Sequence, residues 1–166
     1  MQTSHAKTLL AEHEPLIGFD RVRIPIDRET IKSRRLLRMI ELLEVLKAPD
    51  ESRTLWQLLL DAGADSNFVL LRDCDDDEQL GRRPALQVQI ETTKHKGFLI
   101  ITHDSDDRGF RVLLQDAGTS VTRVTMDKVF VRMLGQVLFD LVDDGQHRSS
   151  RADSYSEANQ DVLLSS

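Results

Sequence analysis

Apolar residues recur along this chain at two different periods. In the stretch from residue 84 to residue 115 the period is two. Leu86, Val88 and Ile90 alternate with Gln87, Gln89 and Glu91, which predicts a strand with one buried and one wet face. Phe110, Val112 and Leu114 alternate with Arg111, Leu113 and Gln115 in the same way. Between them, Gly97-Phe98-Leu99-Ile100-Ile101-Thr102 is a denser apolar run, expected of a more central strand. Val121 and Val124 mark a fourth strand. The connectors Thr93–Lys96, His103–Gly109 and Asp116–Ser120 are short, and parallel strands need a crossover of about a dozen residues or more, so an antiparallel meander is expected.

From Met126 the period changes to that of a helix. Met126, Val129, Phe130, Met133, Leu134, Val137, Leu138, Leu141 and Val142 form one stripe, with Asp127, Lys128, Arg132, Gln136, Asp140 and Asp143 opposite. Thr125 is a candidate cap for its start, and Gly145 for its end. A helix this apolar needs a broad partner surface. Its own sheet is the expected one, and a homodimer or partner-binding helix is the alternative.

The amino-terminal third reads as mostly helical. Val22, Ile24 and Ile26 suggest a short edge strand over residues 19–26, interrupted by Pro25. A helix is expected over Ile31–Leu46, with Asp27 as a cap, Pro49 as its stop, and Arg35, Arg38, Glu41 and Glu44 as its solvated stripe. A shorter helix is expected over Arg53–Ala62, stopped by Gly63. Asn67–Arg72 fits a strand or a third short helix. The predicted fold class is therefore α+β, a mainly antiparallel β-meander packed against a C-terminal amphipathic helix and N-terminal helices. Residues 19–145 form a single domain on this reading. Residues 1–18 are flexible or partly helical, and 146–166, rich in Ser, Asn, Gln and charge, form a disordered tail.

Composition narrows the class. The chain has 166 residues, of which 40% are hydrophobic and 30% charged, as in an ordinary globular protein with a substantial core. Its apolar runs are too short to span a bilayer, and Met1-Gln2-Thr3-Ser4-His5-Ala6-Lys7 lacks an apolar signal core. One cysteine, Cys74, fits a reducing compartment, so a cytoplasmic protein is expected. The net charge of −6 is unevenly spread. Residues 48–80 carry two basic and nine acidic side chains, most of the latter in Asp73-Cys74-Asp75-Asp76-Asp77-Glu78. A charge run of this density predicts an exposed linker over residues 73–83.

Motifs for catalysis are missing or incomplete. A calcium loop starting at Asp73 would need glycine at Glu78 and glutamate at Pro84. The second acidic loop, Asp104-Ser105-Asp106-Asp107-Arg108-Gly109, has its glycine in place but Gln115 at the closing position, and it reads as a turn. The His103-Asp104 pair matches two residues of metal-dependent phosphohydrolase motifs, which sit on helices rather than at a strand end. His5, His13, His95 and His147 lack metal-ligand spacing. Acidic neighbours would raise the Cys74 thiol and make it inert. No phosphate loop, dinucleotide fingerprint or nucleophile elbow occurs. No catalytic residue, metal site or cofactor is therefore assigned.

Two binding surfaces are expected instead. The acidic loops, Asp73, Asp75, Asp76, Asp77 and Glu78 with Asp104, Asp106 and Asp107, would dock another protein with a basic surface. The tail residues Val162, Leu163 and Leu164 would act as a tethered apolar ligand, and Gln160-Asp161-Val162-Leu163-Leu164 resembles the short peptide that docks on bacterial sliding clamps. The leading expectation is a non-enzymatic protein-binding module of the adaptor, inhibitor or immunity type. The alternative is a DNA-binding regulator using Arg28, Lys32, Arg34, Arg35 and Arg38. Overall acidity and the lack of aromatic residues among those cations disfavour nucleic acid. A metal-dependent hydrolase is the second alternative, and a membrane partner is not expected.

Overall fold

The computed structural model describes residues 22–74, 82–104 and 109–148. Among the described residues the chain forms three helices and five strands, α1 (Arg34–Val45), α2 (Leu55–Asp61), β1 (Leu70–Arg72), β2 (Ala85–Glu91), β3 (Lys96–His103), β4 (Phe110–Asp116), β5 (Thr122–Val129) and α3 (Val131–Val142). The strands lie in the order β1-β2-β3-β4-β5, each antiparallel to its neighbour. This is the expected α+β meander, with the dense apolar strand β3 at its centre.

One face of the sheet carries the core. Leu86, Val88 and Ile90 of β2, Leu99 and Ile101 of β3, and Val112 and Leu114 of β4 are buried in register with one another. Against them lie Leu36, Met39, Ile40 and Leu43 of α1, Leu55, Trp56, Leu58 and Leu59 of α2, and Leu134, Val137, Leu138 and Val142 of α3. Gly135 is the point of closest approach in α3, where a Cβ would stand 3.0 Å from the Lys47 carbonyl oxygen.

Local chemistry moves several boundaries from where periodicity placed them. The helix expected over Ile31–Leu46 starts at Arg34, where the Ser33 hydroxyl accepts from the Leu36 amide at 3.2 Å. Asp27 caps a separate 3-10 turn, Arg28–Thr30. The helix also ends before Pro49, because Lys47 bridges Thr54 and the Leu55 amide donates to the Leu46 carbonyl, drawing the chain into a tight reversal. Helix α2 opens on a reciprocal capping box between Thr54 and Gln57 and stops at Gly63, whose φ is +103°. The 67–72 stretch resolves both ways, as a 3-10 turn Ser66–Phe68 followed by β1.

Three expectations are corrected. Met126–Val129 is not the first turn of the last helix but the end of β5, paired to β4 through Val112↔Met126 and Phe110↔Val129. Met126 and Val129 are three apart, a helical spacing, and they share the core face of a strand only because the register against β4 shifts between them; pairing to an otherwise bare β4 edge wins. Lys128 at φ +53° breaks the chain's course, and Phe130, not Thr125, precedes the helix. Residues 22–27 form no strand, although Ile24 is buried. Finally, Glu44 is not part of a solvated stripe. Its side chain is 3% exposed and accepts from the Ile24 amide at 2.7 Å and from the Arg28 guanidinium at 2.6 Å.

Candidate protein-binding surface

The sheet has a second face, and none of the apolar side chains on it joins the core cluster. Register fixes its rows. Leu70, Gln87, Ile100, Leu113 and Thr125 run across all five strands, and Gln89, Phe98, Gln115 and Thr122 run beside them. Leu70 is 59% exposed, and Phe98, Ile100 and Leu113 are half-buried by their strand neighbours. The two rows hold no charged residue. Ionic groups stand at the ends, as Arg111 with Asp127 at 2.6 Å and Lys96 with Glu91 at 3.6 Å. An apolar centre with amide and hydroxyl groups around it and charges at the rim is the anatomy of a protein interface.

Of the acidic residues singled out by the sequence, the described ones lie at one end of this sheet. Arg72 pairs with Ala85 and Ala85 with Thr102, so the chain leaves β1 toward the first acidic run beside the point where it leaves β3 toward the second. Of these runs, Asp73 and Asp104 are described, and both carboxylates are structural ties. The Asp73 oxygens accept from the Lys32 amide at 2.9 Å and the Ser33 amide at 2.8 Å, placing negative charge at the amino end of α1. Asp104 is 3% exposed and accepts from the Lys128 amide at 2.5 Å, and its own amide closes the turn onto the Gly109 carbonyl at 3.1 Å. Asp75, Asp76, Asp77, Glu78, Asp106 and Asp107 lie outside the described residues, as do Val162, Leu163 and Leu164.

Of the basic candidates, Lys32 and Arg34 stand at the amino end of α1 that Asp73 ties down. Lys32, Arg34 and Arg38 are exposed on and just before α1, whereas Arg28 is held by Glu44. The Arg35 carbonyl lies 3.3 Å from His103 Nε2, and the His103 ring packs on Phe110 at 5.1 Å between centroids. The histidine of the His103-Asp104 pair is thus buried between α1 and β4. Among the described residues, no group of three or more His, Cys, Asp or Glu side chains is placed to hold a metal ion. No helix among them is long and apolar enough to cross a membrane.

At the opposite end, ion pairs fasten the end of α3. Buried Arg53 reaches Asp61 at 2.8 Å, Asp50 at 2.9 Å and Asp143 at 3.3 Å. Arg148, which the sequence reading placed in the tail, grips Asp144 at 2.7 Å and the Asp61 carbonyl at 3.3 Å. Asp144 also accepts from the Thr93 amide at 2.9 Å. The Arg148 hydrogen bond, reinforced by that amide, holds the Asp144 carboxyl well below the usual carboxylate range.

Sequence reasoning missed the outer face. Its signal was present in Phe98 and Ile100, which make β3 apolar on both sides, and in Leu113, which interrupts the alternation of β4. The chain matches no protein-family model, no curated protein and no solved structure.

Proposed function

We propose that this protein is a cytoplasmic, non-enzymatic protein-binding module whose docking surface is the outer face of the sheet. The observation that carries the reading is the uncharged double row centred on Leu70, Phe98, Ile100 and Leu113. The partner is a protein segment with an apolar stripe, a helix or a hairpin face, whose contacting residues are themselves uncharged. A charge placed over the centre of this face would be desolvated with nothing to pair it. The net charge of −6 adds long-range attraction for a basic partner, which speeds encounter. The acidic runs take this steering role rather than a docking one, since Asp73 and Asp104 spend their carboxylates on backbone amides and Lys32 and Arg34 stand at the end of α1 that Asp73 ties down.

The test compares the full chain with its Ile100→Glu/Leu113→Glu variant in pull-downs from host lysate at low and high salt. Both positions face outward but stand directly opposite one another across β3 and β4, so the two like charges lower the melting temperature, and the melting curve of the same sample verifies that the variant is folded. A protein held by the parent and lost by this variant supports the reading. A protein held equally by both removes the outer face as the site. Recovery of nucleic acid in place of protein would favour the alternative reading, DNA binding through the cations on and before α1.

A further inference from the structure

The sheet's last strand overhangs the helix layer. Of the eight residues of β5, only Val129 is buried and Val124 half-buried. Met126 sits on the core-facing side, opposite fully buried Val112, yet is 39% exposed. Phe130 at 36% and Met133 at 42% continue that uncovered apolar strip onto the start of α3. The outer edge of β5 is bonded to no strand among those described. Its regular stretch is Val124–Met126, between two register shifts against β4, and a bare strand edge can template pairing with another chain.

The sequence of the edge says which chain. Laid antiparallel to itself with Thr125 on the axis, β5 places Val124 opposite Met126 and Arg123 opposite Asp127. Apolar side chains meet apolar ones, and each cation meets an anion. Within one chain Arg123 already binds Asp116 at 2.5 Å, and Asp127 binds Arg111 at 2.6 Å. The new contact would join these into rows of alternating sign, Asp116, Arg123, then the second copy's Asp127 and Arg111. Parallel pairing would set Arg123 on Arg123 and Asp127 on Asp127, so the charges select the antiparallel arrangement. Pairing ends at Lys128, whose amide is taken by Asp104.

We propose that two copies of this chain pair β5 to β5 across a two-fold axis at Thr125, forming one continuous sheet and burying Met126, Phe130 and Met133 at the junction. Such an interface is isologous, each patch meeting itself. It leaves the outer face free and does not depend on the binding function proposed for it.

The experiment is sedimentation velocity on the full chain, the Arg123→Asp variant, the Asp127→Arg variant and their equimolar mixture. Each variant sets like charges opposite one another at both contacts of its own dimer, whereas a mixed dimer has opposite charges at both. The full chain is expected to sediment as a dimer, each variant as a monomer, and the mixture as a dimer again. This rescue needs both variants folded, which the melting curves of the same samples verify. A full chain that stays monomeric at every concentration overturns the proposal, and so do variants that dimerise unchanged or a mixture that stays monomeric. The Ile100→Glu/Leu113→Glu variant dimerises like the parent, which separates this result from the partner-binding test.

Discussion

Glu44 offers the sharpest test of the packing, because its periodicity and its surroundings disagree. It lies on the helical stripe that includes exposed Arg38 and Glu41, yet its side chain is 3% exposed. Glu44→Ala orphans the buried Ile24 amide, which costs about 1–3 kcal/mol. It also strips Arg28 of its carboxylate. That guanidinium side chain is 20% exposed, so water recovers part of its charge, and the loss falls below the roughly 3–5 kcal/mol of a fully buried broken pair. The two contributions together give about 3 kcal/mol, or a fall in Tm of about 6–12 °C at the 2–4 °C per kcal/mol usual for this chain length. Glu44→Gln keeps an oxygen for the Ile24 amide and loses only the charge, so about 1 kcal/mol is expected.

Urea unfolding followed by the fluorescence of Trp56 measures these values, since it is the only tryptophan and is fully buried. Adding Arg28→Met turns the measurement into a cycle. Glu44→Ala with Arg28→Met is expected to cost about 1–2 kcal/mol less than the sum of the two single changes, because each single change strands a charge and the double change does not. A Glu44→Ala cost within about 0.5 kcal/mol of zero, the range of ordinary surface changes, would refute the buried pair.

The remaining predictions are briefer. Gly97→Ala puts a Cβ into the Gln115 carbonyl oxygen in the neighbouring strand, and backbone must move to admit it; a loss of about 2–4 kcal/mol in the same urea assay is expected. Asp104→Ala frees the Lys128 amide, so amide exchange along Asp127–Val129 accelerates, while Asp104→Asn retains an accepting oxygen and most of the protection. Divalent cations leave the Tm of the parent unchanged; a rise that Asp104→Asn abolishes would revive the hydrolase reading. The Asp144 carboxyl is more acidic folded than unfolded, so its contribution is complete above the unfolded value near 4 and declines as pH falls below it. Asp144→Asn therefore lowers Tm at pH 7, by an amount worth about 1–2 kcal/mol, and the difference from the parent narrows in acid.

Strand β2 was legible because a strand between a core and an open face must alternate, and Leu86, Val88 and Ile90 do so without exception, whereas β3 was legible as an unbroken apolar run and β4 through Phe110, Val112 and Leu114 despite Leu113. The boundary between β5 and α3 was not, since Met126, Val129 and Phe130 fit a helix stripe, and only a register shift against β4 lets Met126 and Val129 share one face of the strand that Val129 ends. The ties that fix charged residues were also hidden. Glu44 meets Arg28 from 16 positions away, and Asp73 caps residues 40 and 41 positions upstream, distances at which no local pattern speaks. Of the candidate surface, the acidic runs were visible as composition, but only strand register shows that they leave the sheet at the same end. Phe98, Ile100 and Leu113 were visible as apolar residues. Whether a second layer covers them is a property of the whole chain, and a single sequence window does not contain it.

The strictly sequential order of the strands bears on how the chain is made. Every sheet pairing joins neighbours in sequence, so each hairpin can close soon after it is synthesised, with little loop entropy to overcome. Helices α1 and α2 are in the opposite position. Leu36, Met39, Ile40, Leu43 and Trp56 leave the ribosome before their partners on β2, β3, β4 and α3. Until Val142 has emerged, the helical surface of Leu36, Met39, Ile40 and Leu43 therefore lacks the partners that cover it in the folded chain.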